Sequence, residues 1–200
     1  MAELRMRLIQ FTPSARVRAA FAFPRGPTCG PFAFGGCGYD GRTRPPALHA
    51  MSEPLSLRRV GSVLHLVLDR PALHNAFDAD LVARLAGALE AAAADGSVRV
   101  VVLAGAGASF SAGADLNWMR GMAAAGEAEN RADALALARL MRTLDELPRP
   151  TIARVHGAAF GGGVGLVACC DIAIGVPGAK FGLTESRLGL LPAVISPYVV

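Results

Sequence analysis

A chain of 200 residues that is 52% hydrophobic and 18% charged has room for one domain with a real core, and its composition is not that of a disordered polymer. The formal charge of +4 is unevenly placed: residues 1–50 hold seven arginines against Glu3 and Asp40, so residues 51–200 carry a net −1 and offer no gathered cations for a nucleic acid. No apolar run reaches the roughly 18 residues that a membrane span needs.

Residues 1–50 contain Pro13, Pro24, Pro27, Pro31, Pro45 and Pro46, many glycines and no sustained period, which denies them a packed core. Being rich in arginine and poor in acids, they read either as a transit leader or as sequence upstream of a natural start at Met51. Either way they are expected to be disordered, with the folded part running over 51–200. Cys29 and Cys37 lie in this stretch, and Cys169 and Cys170 lie in an apolar run. Neither pair has zinc-ligand spacing backed by histidines, so no metal is expected, and free thiols fit a reducing, cytoplasmic setting.

Val63 to Leu68 reads as a short apolar strand stopped by Pro71. Asp78 is placed to cap a helix whose apolar positions Leu81, Val82, Leu85 and Leu89 keep a helical period, with Gly96 just past its end. Val98 to Leu103 is a β-branched run of the kind buried on both faces of a sheet, ended by Gly105 and Gly107. A second helix fits Glu127 to Leu147, with Leu137, Leu140, Met141, Leu144 and Leu147 on one stripe and Pro148 closing it. Thr151 to Val155 is a strand, Leu166 to Cys170 a helix, and Ile172 to Val176 a strand. Alternating strands and helices indicate an α/β layer fold.

Two glycine-rich turns, Phe110 to Asp115 (Phe-Ser-Ala-Gly-Ala-Asp) and Phe160 to Gly165 (Phe-Gly-Gly-Gly-Val-Gly), each follow a strand and precede a helix. The first turn of a helix leaves backbone N–H groups free at its positive dipole end, and small residues let a ligand oxygen approach them. Either turn could be purely structural. If they converge on one point, they make an oxyanion hole.

With these turns on the page, the chain from about residue 55 to 200 resembles the crotonase superfamily. Four blocks carry the resemblance: Asp69 to Ala76 (Asp-Arg-Pro-Ala-Leu-His-Asn-Ala), Phe110 to Leu116, His156 to Gly163, and Cys170 to Ile172 followed by Ala179 to Glu185. Within the superfamily the segment Leu190 to Pro197 is most similar to bacterial 3-methylglutaconyl-CoA and related branched enoyl-CoA hydratases. The resemblance implies a crotonase-like spiral of strand-strand-helix units, with the C-terminal helical part missing after Val200. It implies an enoyl-CoA hydratase that adds water across the α,β-double bond of an acyl-CoA thioester, an enoyl-CoA isomerase and a non-catalytic acyl-CoA-binding member being the alternatives.

Carried over residue by residue, the resemblance puts the oxyanion donors at the backbone N–H groups of Ala114 and Gly162. Leu73, His74 and Ala112 fall where CoA is contacted, largely through main chain. Of the two glutamates that family hydratases use to hold and split water, only Glu185 is present; the other position is Gly165. No cofactor is implied beyond the coenzyme A carried by the substrate. The acyl-CoA would be the partner, with no nucleic acid or membrane, and a full-length chain would form homotrimers or dimers of trimers.

Against this stands a dinucleotide-binding reading, because Gly163 to Ala168 (Gly-Val-Gly-Leu-Val-Ala) satisfies the G-x-G-x-x-A pattern with Glu185 about 20 residues onward. That reading leaves Ser111 to Asp115 without a purpose. Limited proteolysis is expected to remove residues 1–50 first; a protease-resistant core that retains them, found by mass spectrometry, would move the boundary away from Met51.

Overall fold

In the computed structural model of the chain, residues 53–200 are described; residues 1–50, with Cys29, Cys37 and the expected leader, lie outside the described residues. The strands are β1 (Leu55–Val60), β2 (Val63–Leu68), β3 (Val100–Gly105), β4 (Thr151–Val155), β5 (Ala158–Phe160), β6 (Ile172–Gly175) and β7 (Lys180–Gly182). The helices are α1 (Ala79–Ala94), α2 (Leu116–Ala123), α3 (Glu127–Asp145), α4 (Gly162–Ala168) and α5 (Ser196–Val199).

β1 and β2 form an antiparallel hairpin turning at Gly61, and β2, β3, β4 and β6 continue it in parallel to give a five-stranded sheet of order β1-β2-β3-β4-β6. β5 and β7 pair in parallel as a separate two-stranded sheet. β4 with β5 and then α4 therefore makes a strand-strand-helix unit, and β6 with β7 begins another. Each unit sends one strand to the large sheet and one to the small.

Asp78 caps α1, its carboxylate accepting from the Leu81 N–H at 3.0 Å. The apolar stripe Leu81, Val82, Leu85 and Leu89 then faces the sheet, while Leu140, Met141 and Leu144 of α3 pack beside it with Leu147 just beyond its end. Full burial of each such side chain contributes about 1.5–3 kcal/mol. β2 and β4 have the bounds that their apolar runs predict, whereas β3 begins two residues later than the β-branched run, because Val98 is buried in the turn before it.

The helix expected over Leu166–Cys170 instead begins at Gly162 and ends at Ala168. Glycines usually argue against a helix interior, but here they are what lets α4 sit against its neighbours. β1 was not anticipated: only Leu55 of its six residues is buried, the mark of an edge strand held by its hairpin.

One buried side chain ties the loops at the ends of these strands together. The Asn75 carboxamide donates to the carbonyls of Ala106 (2.8 Å) and Ser109 (2.7 Å) and accepts from the Arg70 N–H at 2.9 Å. Its backbone adopts φ 55, a region that asparagine tolerates better than most residues. Replacing Asn75 by Ala leaves one buried and two part-buried backbone groups without this partner and should cost about 2 kcal/mol or more, measured as the shift in a urea denaturation midpoint at unchanged m-value.

Candidate active site

β3 ends at Gly105, and the chain from Ala106 to Asp115 lies across the end of the sheet. Ser111 pins this loop twice: its hydroxyl donates to the Asn75 carbonyl at 2.9 Å and accepts from the Gly113 N–H at 3.1 Å. Phe77 then pairs with the loop as a strand would, its N–H donating to Gly113 and its carbonyl accepting from Asp115. Alternation along the bridge leaves the Ala114 N–H pointing the other way.

The second element is the start of α4. Gly161 alone makes the turn, at φ 51, and its N–H donates to the Gly182 carbonyl at 2.9 Å. Gly162 is the first helical residue, so its N–H has no acceptor within the helix. A side chain at Gly162 would stand 2.4 Å from the Phe77 ring, and one at Gly113, where φ is 86, would stand 3.2 Å from the Gly162 nitrogen. Bare backbone is what allows the two loops this close. Among the described residues, the N–H groups of Ala114 and Gly162 have no hydrogen-bond partner, and both residues line one cleft of about 500 Å³.

Pairing of β5 with β7 sets the third element. Phe160 lies opposite Gly182, and three residues later Glu185 opens a 3-10 turn, Glu185–Leu188. Glu185 Oε1 lies 3.2 Å from where a Cβ on Gly161 would be. Its other oxygen, Oε2, is buried and without a partner among the described residues, a costly state for a carboxylate oxygen that a water or a substrate donor in the cleft would relieve.

Leu73, His74 and Ala112 line the same cleft, so every residue predicted for the site comes together there. His74 is held rather than poised: Nδ1 lies 3.0 Å from the Ser109 hydroxyl, and the His74 carbonyl accepts from the Ala112 N–H at 2.9 Å. That N–H is thus spent, and the Ala112 carbonyl is the group left for a ligand. The nearby acids are structural. Asp115 caps α2 and pairs with Arg70 at 3.2 Å, and Asp171 accepts from the Thr151 N–H and hydroxyl at 2.8 Å each.

Gly165 does not reach the cleft. It is buried in α4, where an added Cβ would lie 2.4 Å from Ile195 Cγ2 and 3.3 Å from Met141 Cε. The dinucleotide reading fails for a related reason: Gly163 and Gly165 are inside a helix packed on both sides, and the only turn before it is one residue long. The Cys170 thiol, pushed up to about 12 by burial and then by Asp171, and the Cys169 thiol, raised by burial and then by Asp145, stay protonated and inert. Among the described residues no group of His, Cys, Asp or Glu is placed to hold a metal ion, and no helix is long and apolar enough to cross a membrane.

Sequence reasoning passed over Asn75, Arg70 and Ser111, which position the donors without touching the cleft centre, and Arg120 and Thr184, which line it. Asn75 was in plain view inside the Asp69–Ala76 block; what hid its role was that its partners are carbonyls 31 and 34 residues away.

A cleft lined by two residues with unpaired backbone donors and by one carboxylate has the groups needed to polarise a carbonyl and move a proton. The chain belongs to the enoyl-CoA hydratase/isomerase family, whose pattern it matches over residues 58–200. It is 39% identical over 142 residues to the 2,3-dehydroadipyl-CoA hydratase of Escherichia coli, covering 71% of this chain and 53% of that protein. A crystal structure of an enoyl-CoA hydratase from Shewanella pealeana is 50% identical, with a TM-score of 0.72 over 74% of this chain and 56% of that one. Pseudomonas aeruginosa AtuE is 41% identical, with a TM-score of 0.72 over 74% and 57%. The chain spans about half the length of the curated relatives it matches, and its mixed α/β fold is that of these crotonase-type structures.

Gly165→Glu, the change that would restore a second carboxylate, is expected to lower stability by about 2 kcal/mol or more, since it overpacks the α4–α5 contact and buries a charge. Thermal and chemical denaturation of the variant measure this.

Proposed function

We propose that this chain carries the catalytic cleft of an enoyl-CoA hydratase, a lyase that adds water to an α,β-unsaturated acyl-CoA. The observation that supports it is that Ala114 and Gly162, whose N–H groups are free, and Glu185, one of whose oxygens is unpaired, line one cleft. The thioester carbonyl accepts from both N–H groups, with CoA running past Leu73, His74 and Ala112. Glu185 takes a proton from water as its oxygen attacks the β-carbon. The electron pair of the double bond moves toward the thioester and leaves an enolate oxygen on the two donors. Glu185 returns the proton to the α-carbon, giving a 3-hydroxyacyl-CoA. Donors fixed by backbone need no reorganisation as the charge develops, and each is worth about 2.7–4 kcal/mol of barrier. Binding of the CoA moiety fixes the acyl group in place for this step.

A second reading is favoured by the burial of Gly165 under Ile195. With one carboxylate in the cleft, the same enolate serves a 1,3-proton shift that moves the double bond without consuming water. The residues Leu190 to Pro197 support an acyl group of the 3-methylglutaconyl or related branched type. We further propose that no cofactor takes part beyond the CoA of the substrate, that the protein acts in the cytoplasm in acyl-CoA and branched-chain catabolism, and that the full protein assembles as homotrimers or dimers of trimers.

Turnover of enoyl-CoAs in ¹⁸O-labelled water separates the readings: a hydratase places the label on the β-carbon, and an isomerase moves the double bond with none incorporated. Glu185→Gln keeps shape and hydrogen bonding but removes proton transfer, so kcat should collapse while affinity for a saturated acyl-CoA stays within a few-fold. Ala114→Pro deletes one donor and should lower kcat/KM by about 100-fold or more. Near-parental rates in a folded Glu185→Gln would remove Glu185 as the acid/base.

A further inference from the structure

Among the described residues, His74 and Asn75 are the two other than glycine that have positive φ, at 51 and 55. Histidine and asparagine tolerate this region better than most residues, yet two in succession persist only where the surroundings fix them. What fixes them is the loop that leads to the Ala114 donor. His74 Nδ1 lies 3.0 Å from the Ser109 hydroxyl, and the His74 carbonyl accepts from the Ala112 N–H at 2.9 Å. The Asn75 carboxamide donates to the Ser109 carbonyl at 2.7 Å, and the Asn75 carbonyl accepts from the Ser111 hydroxyl at 2.9 Å. Two strained residues thus grip Ser109 to Ala112, directly before Gly113 and Ala114.

The two differ in who can reach them. Asn75 is fully buried, whereas His74 is exposed and lines the cleft. Ser109, the partner of the His74 ring, is 7% exposed and outside the cleft lining. His74 is therefore the member of this grip that a ligand can touch, and its ring bond runs from the cleft to a buried residue of the donor loop. In the open cleft that bond competes with water. Covered by a ligand it does not, and a hydrogen bond strengthens as the local dielectric falls.

We infer that His74 is a positioning residue that couples the seating of CoA to the Ala114 donor: the CoA half of the substrate, packed on His74, holds the ring on Ser109 and so fixes the loop that presents the N–H. This rests on the acyl-CoA reading above. A donor acts only where the oxyanion forms, and a misplacement of about 1 Å can cost about 100-fold. Binding of a part of the substrate remote from the reacting carbons then appears in kcat as well as in affinity.

The test is steady-state hydration of crotonyl-CoA and of crotonyl-N-acetylcysteamine, which keeps the thioester and lacks the nucleotide and most of the pantetheine, by the whole chain and by folded variants. The parent is expected to show the higher kcat on crotonyl-CoA. His74→Gly suits the positive φ and removes the ring, so it should lower kcat on crotonyl-CoA about 3- to 10-fold, the scale of one hydrogen bond, and narrow the kcat ratio between the two thioesters. Ser109→Ala breaks the same bond from the buried side and should narrow the ratio to a like extent with KM changed less than about 2-fold; the double variant should add little. His74→Asn keeps a left-handed backbone and a carboxamide for Ser109, and should retain most of the ratio. A higher KM at parental kcat in His74→Gly would make His74 a binding contact only and overturn the inference. Equal losses on both thioesters in Ser109→Ala, or fully additive losses in the double variant, would overturn it too. A parent that hydrates neither thioester sinks the hydratase reading and the inference with it, whereas one with equal kcat on both sinks only the inference.

Discussion

The cleft depends on a single carboxamide. Asn75 spans the gap between the Arg70–Ala76 loop and the loop after β3, and all of its amide hydrogen-bonding groups point to main chain. Its own carbonyl then receives the Ser111 hydroxyl, which in turn receives the Gly113 N–H, so the chain of bonds reaches the residue before the Ala114 donor in two steps. Arg70 closes the ring from outside, with its guanidinium on the Ala76 carbonyl, Asp78 and Asp115. The proposed donor is a backbone group, so it is positioned by the side chains that hold its loop, Asn75 from outside and Ser111 from within.

The small β5–β7 sheet supplies the complementary constraint. Its strands are three residues each and could not stand alone, but Ser111 bridges to Ala159 on one side and the Gly161 N–H binds Gly182 on the other. Through these bonds the first donor loop, the start of α4 and β7, whose last residue stands three before Glu185, form one hydrogen-bonded assembly. Gly165 lies outside it, turned into the packing of Ile195, so with Asp115 paired to Arg70, Glu185 is the acid among the described lining residues that has no ion-pair partner.

The long amphipathic helices and the parallel strands β2 and β4 were legible because burial imposes a period on them, and the Asp78 cap announced where α1 starts. The two glycine turns were legible as a pair, since strand, small residues and helix recur in one order. β5 and β7 were not. Each is too short to show alternation, and their pairing joins residues more than 20 apart. The start of α4 was misplaced because propensity disfavours glycine in a helix, while the close approach of Phe77 and Ser111 demands it.

Two of the three groups proposed to react in this cleft are written in no codon. The proposed donors, at Ala114 and Gly162, are peptide groups, identical in every amino acid except proline, so most point substitutions there leave the N–H chemically intact and act only by crowding it. Glu185, by contrast, is an ordinary side chain that a single base change can replace. The two proposed donors therefore cannot be exchanged, only displaced, and the positions at which a substitution displaces them are Asn75, Ser111 and the glycines that let the two loops approach.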